Sequence, residues 1–216
     1  MSDVLSAYSV VEQTWHERSN QIEQGYQQAL EAPAVSKNAE SRLQDVHESF
    51  AMDFMRIAEL EQLHREAMLI VLQNELEHGL NALCRDVANA MQSKIKFTDL
   101  NDRGIKRAWS YLKKVADFEF SSLQKEQSVI ADVQEIRNII VHAGGTIKDK
   151  KILAIVNKYE WFSGREGAAV EIKPEFMKEY VATLHQCLDR VSEQTQSFME
   201  RTIRAYKATP TASRNV

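Results

Sequence analysis

From Asn38 to about Gln92 the chain runs without a proline and with a single glycine, Gly79. Proline removes a backbone donor and clashes with the preceding turn, and interior glycine weakens a helix, so their scarcity over this length leaves little but helix. Apolar residues recur at Phe50, Phe54, Ile57, Leu60, Met68, Leu72, Leu76, Leu80, Leu83, Val87 and Met91, mostly at steps of three and four. Those steps trace one helix face. The stretch reads as one very long helix or as two in line. The run Met68-Leu69-Ile70-Val71-Leu72 is apolar on every side, which predicts deep burial there.

The rest of the chain shares this bias. It has 7 Gly and 3 Pro in 216 residues, which favours long helices over many short strands. That length suits one large domain, or a domain with a helical extension, and can bury a real core. A net charge of -4 argues against a general nucleic-acid coating protein and leaves room for a local basic site. Cys84 and Cys187 sit on apolar stripes outside any Cys-x-x-Cys pair, so both read as buried thiols. No basic-apolar leader opens the chain, and no window approaches the ~18 uninterrupted apolar residues of a spanning helix. A cytoplasmic protein without membrane contact is expected.

Val11, Trp15, Ile22 and Tyr26 draw a narrow stripe down a first helix from about Tyr8 to Leu30. Pro33 breaks it, and Ser36 or Asn38 can cap the next. The first helix and the front of the second read as an antiparallel pair, either a coiled-coil arm or extra bundle helices. A short helix is predicted from about Gly104 to Ala116, with Ile105, Ala108, Trp109, Leu112 and Val115 inward. Asp117 to Gln127 reads as polar connection. The next helix is predicted over Ser128–Ala143, with Val129, Val133, Ile136 and Ile140 as its core face, ended by Gly144-Gly145. Lys151 to Tyr159 is a short helix or a strand. Gly164-Arg165-Glu166-Gly167 reads as a turn, with Ala169 to Ile172 as one strand of a small hairpin. Pro174 opens the last helix, whose stripe is Met177, Tyr180, Val181, Leu184, Leu188, Val191 and Phe198. The Trp and Met residues read as packing.

One segment sets a cation, an amide and an imidazole within reach of each other: Glu135-Ile136-Arg137-Asn138-Ile139-Ile140-Val141-His142-Ala143-Gly144-Gly145. RNA carries its own nucleophile, the 2′-hydroxyl, so cleavage without a metal needs only proton transfer and charge stabilisation. Histidine titrates near neutral pH and suits the first task. Arginine stays charged, and its planar donors match phosphate oxygens. Asn138 and His142 are four apart and share a helix face. Arg137 lies well around the helix, with a side chain long enough to swing toward the same cleft. Arg and His near a helix C-terminus also serve simply as partners of the dipole. Two basic clusters flank the segment: Arg103, Lys106, Arg107, Lys113 and Lys114 before it, and Lys148, Lys150 and Lys151 after it. If they converge on His142 they form a groove for a phosphate backbone; otherwise they are solvated surface. His47, His64, His78 and His185 lack metal-ligand companions at useful spacing, and no Gly-rich phosphate loop or Gly-x-Ser-x-Gly elbow occurs, so no metal and no cofactor is expected. Glu135 reads as a solvated charge that can orient Arg137.

The segment Arg137-Asn138-Ile139-Ile140-Val141-His142 resembles the Arg-x4-6-His motif of the HEPN superfamily in its Arg-Asn-x-x-x-His form. The likeness covers roughly residues 46 to 205. It implies an all-α antiparallel bundle of four to five core helices that dimerises, with the motifs of both subunits facing one cleft. Many such proteins are metal-independent ribonucleases acting as toxins, in antiphage defence or in RNA processing. By that likeness Arg137 polarises the scissile phosphate, His142 transfers the proton, Asn138 positions them, and the product is a 2′,3′-cyclic phosphate. A protein partner or antitoxin is a further implied possibility. The expected organisation is an N-terminal helical extension over 1–45, the bundle over 46–207 and a disordered tail over 208–216. The alternatives are a non-catalytic module that binds a protein partner or a nucleotide, and a purely structural scaffold.

Overall fold

The computed structural model describes residues 2–32 and 39–208. Among them are six α-helices: α1 (Ser2–Glu31), α2 (Ala39–Ala90), α3 (Gly104–Lys114), α4 (Gln124–Ala143), α5 (Lys150–Lys158) and α6 (Glu175–Ala208). The strands β1 (Phe162–Ser163) and β2 (Glu171–Ile172) pair antiparallel, with Phe162 opposite Ile172. The protein is an all-α helical bundle with a two-residue hairpin before its last helix. The break at Pro33, the caps at Ser36 or Asn38 and the tail beyond Ala208 lie outside the described residues.

The long proline-free stretch is a single helix of 52 residues. Residue 45, where the extension is expected to end, lies inside it. The chain forms two compact units, Met1–Met68 with Ile147–Lys178, and Leu69–Thr146 with Glu179–Val216.

In the first unit, α1 and the front of α2 run antiparallel. Tyr26 packs on His47, Phe50 and Phe54, while farther back along α1 Tyr8 stacks on His64. Polar ties fasten the pair. Arg65 is buried, 8% exposed, and grips Glu12 through Nε at 3.1 Å and Nη2 at 3.0 Å. The Gln62 amide clips onto the hairpin, donating to the Val170 carbonyl and accepting from the Ile172 N–H, both at 3.0 Å. A strand edge left open would carry unpaired backbone groups, and this side chain satisfies two of them. The open question at Lys151–Tyr159 resolves as helix. Asp149 caps α5 by accepting from the Ile152 N–H at 2.8 Å, and its buried residues Ile152, Ile155 and Val156 have helical spacing.

In the second unit the core takes Leu69, Leu72, Leu76, Leu80, Cys84 and Val87 from α2, and Ile105, Ala108, Tyr111 and Leu112 from α3. From α4 come Val129, Ile130, Val133, Ile136 and Ile140, and from α6 Tyr180, Val181, Leu184, Cys187, Val191 and Phe198. Burying each valine, leucine, isoleucine or phenylalanine among them contributes about 1.5–3 kcal/mol before the entropy of ordering it. Both cysteines are free and buried, as expected.

Three expectations are corrected. The segment 117–127 is not polar connection. A 3₁₀ turn over Ser121–Leu123 leads straight into α4, which starts at Gln124, and Phe118, Phe120 and Leu123 are buried. The run from Met68 to Leu72 is not enclosed on all sides, since Val71 is 48% exposed. Helix neighbours point about 100° apart, so Leu69 and Leu72 reach the core and Val71 faces out. Nor are the methionines all packing, because Met52, Met55, Met91 and Met199 are exposed.

Candidate active site

Helix α4 presents two different faces. Ile136 and Ile140 anchor one in the core. On the other, Gln124, Gln127, Gln134, Glu135 and Asn138 recur at helical spacing and line one wall of a cleft of about 710 Å³. Helix α3 supplies the opposite side with Arg103, Lys106, Lys113, Lys114 and Trp109. The bare backbone at Gly104, with φ +56°, starts α3 and also lines the cleft. Trp109 is held edge-to-face against Phe120, ring centroids 5.0 Å apart.

Four of the five expected cations of residues 103–114 therefore border one cavity. Arg103, Lys106, Lys113 and Lys114 are all exposed. Lys106 also leans on Asp102 at 3.5 Å. The Ser110 hydroxyl donates to the same Asp102 carboxylate at 2.7 Å, which holds that carboxyl below its ordinary range, with Lys106 adding to the effect. Arg107 departs from the expectation. Its guanidinium lies over the Phe97 ring, 5.8 Å from the centroid, and its buried Nε has no hydrogen-bond partner among the described residues. Lys148, Lys150 and Lys151 belong to the first unit, where they are exposed around the start of α5.

Asn138 lines the cleft; Arg137 and His142 do not. Asn138 is the hub of a small network, its Oδ1 accepting from Gln134 Nε2 at 3.1 Å and from Arg137 Nη1 at 3.4 Å. Arg137 Nη2 donates to Asn74 Oδ1 of α2 at 3.2 Å. Its Nε is buried and without a hydrogen-bond partner among the described residues. His142 is exposed in the last turn of α4. It stands on the wall face one turn beyond Asn138, a rise of about 6 Å. Arg137 is about 140° around the helix from it. The helix ends where the double glycine demands. Gly144 is left-handed at φ +57°, and the Gly145 N–H donates to the Ile139 carbonyl at 3.0 Å.

The arrangement offers cations for an anion, amides and an indole for a planar ligand, and an imidazole open to solvent one turn away. Among the described residues, no group of three or more His, Cys, Asp or Glu side chains is placed to hold a metal ion, and no helix is long and apolar enough to cross a membrane. The sequence reading missed Trp109, Phe120 and the amides Gln124, Gln127 and Gln134. The three amides had a signal in the sequence, a polar stripe at steps of three and seven on α4, whereas Trp109 reads there as packing. No protein-family model, curated protein or solved structure matches the chain.

Proposed function

We propose that the chain is a metal-independent endoribonuclease of the HEPN type, working as a cytoplasmic homodimer that acts as a toxin or an antiphage effector. The observation that carries this reading is the exposed His142, one turn beyond the Arg137–Asn138 pair, on the face of α4 that walls a cation-rimmed cleft. The cations hold the RNA backbone by charge. The 2′-oxygen attacks phosphorus as its proton passes to an imidazole. The bond from phosphorus to the 5′-oxygen breaks, and that oxygen takes a proton from a second imidazolium. In a homodimer each His142 fills one of these roles, which a single copy cannot do. Arg137 exchanges an amide partner for the phosphate and neutralises the charge added in the transition state. The product is a 2′,3′-cyclic phosphate and a 5′-hydroxyl.

A specific observation favours a second reading, a non-catalytic module for a protein partner or a nucleotide. Arg137 already bonds Asn74 and Asn138, as a structural tie would. RNA cleavage in EDTA separates the two, with wild type beside His142→Ala and Arg137→Ala. The nuclease reading expects chelator-resistant cleavage to cyclic-phosphate ends, lost in both variants. Folded wild type that cuts no RNA, with or without a second copy bound, refutes it.

A further inference from the structure

We infer that the cleft between α3 and α4 is a seat for one nucleotide, holding its base as well as its phosphate. This rests on the reading above only for the source of the nucleotide, a strand of single-stranded RNA; the seat itself is argued from the cleft alone. A patch that merely attracts a backbone is shallow and cationic throughout. This one is divided. Its volume of about 710 Å³ falls in the range of small-molecule pockets, about 300–1,000 Å³. Lys113 and Lys114 close the last turn of α3, where the helix dipole favours cations, and both stay exposed. They suit a phosphate.

The interior has other chemistry. Trp109 is half-buried, and its edge-to-face contact with Phe120 fixes the indole, so ordering it on binding costs little. Bases stack on such rings with little regard to sequence. Facing it, α4 offers the amides of Gln124, Gln127 and Asn138. A glutamine amide both donates and accepts, and Asn138, whose Oδ1 already takes Gln134 and Arg137, presents its N–H groups, which together match the mixed edge of a nucleobase. A phosphate alone has no use for an indole or for the amide oxygens of Gln124 and Gln127. The seat ends at Asn138, so a nucleotide held there has its neighbour in the strand beside His142.

Calorimetry on the full chain tests this at fixed salt. The probes are the four 5′-ribonucleoside monophosphates, the nucleosides, ribose 5-phosphate, inorganic phosphate and a single-stranded hexaribonucleotide. At least one monophosphate is expected to bind tenfold or more tighter than both phosphate and its own nucleoside. Trp109→Ala removes the advantage over ribose 5-phosphate, and Lys113→Ala/Lys114→Ala removes the advantage over the nucleoside. The doubly exposed lysine variant keeps the test valid should Trp109→Ala lose its helical signal. A hexanucleotide tighter than any monophosphate identifies a strand as the source, and the reverse identifies a free nucleotide. Monophosphates no tighter than phosphate overturn the seat, as does an equal loss from Lys148→Ala/Lys150→Ala. Cleavage without nucleotide preference defeats only the seat; nucleotide binding without cleavage defeats only the ribonuclease.

Discussion

Arg65→Ala removes the guanidinium that ties α1 to α2 and reaches the hairpin. Arg65 makes two parallel bonds to the Glu12 carboxylate, another to Glu61 at 3.2 Å and a long one to the Ile172 carbonyl at 3.5 Å. Burial works to lower its pKa, but Glu12 by bond and charge, with the Glu61 charge and the Tyr8 bond added, outweighs this and leaves it raised. Breaking a buried pair from one side costs about 3–5 kcal/mol, because the abandoned charge stays desolvated. Here Glu12 and Glu61 keep side-chain exposures of 18% and 23%, so water recovers part of that, and about 3 kcal/mol is the working figure. For a chain of this size that lowers Tm by roughly 6–12 °C. Circular dichroism on heating measures the total, and hydrogen exchange on α1 peptides locates it. Adding Glu12→Ala to Arg65→Ala then costs little more, because the partner is already gone, giving a coupling of about 1 kcal/mol or more. A loss under about 1 kcal/mol for Arg65→Ala, or strict additivity of the two changes, refutes the claim that this clamp holds α1.

Three further outcomes follow from the geometry. Asp102 titrates below its unfolded value, so its contribution is full above about pH 4 and is lost as pH falls through the lower folded value; the Tm gap between wild type and Asp102→Asn narrows on acidification, and a gap unchanged at the acid end contradicts the Ser110 bond. Cys84 and Cys187 are both pushed up to about 12, chiefly by burial, so iodoacetamide at mildly alkaline pH labels neither until urea unfolds the chain, and their stabilising contribution is lost from about pH 8.5 upward; rapid labelling of the native protein contradicts this. Gly144→Ala meets no neighbour within 4 Å but must hold φ +57°, a penalty of about 1–2 kcal/mol that Gly144→Asn largely avoids in urea melts; equal stability of the two variants refutes the backbone argument.

The apolar period was enough to place α2, α3, α4 and α6, because steps of three and four specify which face of a helix is hidden. It says nothing of what hides it. Val71 sits within an apolar run yet faces out, while Gln73, 1% exposed, is buried because its amide donates to the Ile130 carbonyl at 3.2 Å. Phe118 and Phe120 lie among charged neighbours that mask them in sequence, although each finds a ring to pack on. In the candidate site, the chain order put Arg137, Asn138 and His142 together, and helix geometry turns Arg137 away from His142 while its side chain still reaches Asn138. The cations of α3 were visible as a cluster. The cleft they border depends on how α3 meets α4, which no local pattern encodes.

The two bonds received by Asn138 decide which way its amide points. Gln134 and Arg137 both donate to Oδ1, so turning the amide over would set donor against donor twice. The nitrogen end, with two hydrogens, is therefore the part of Asn138 that neither bond uses, and its sense is set by its two neighbours on α4. A residue whose chemistry is ambiguous on paper becomes a one-way reader, able to greet an acceptor and poorly suited to a donor. Through this bond Arg137 influences selectivity at the cleft at one remove, by deciding which half of its neighbour remains available.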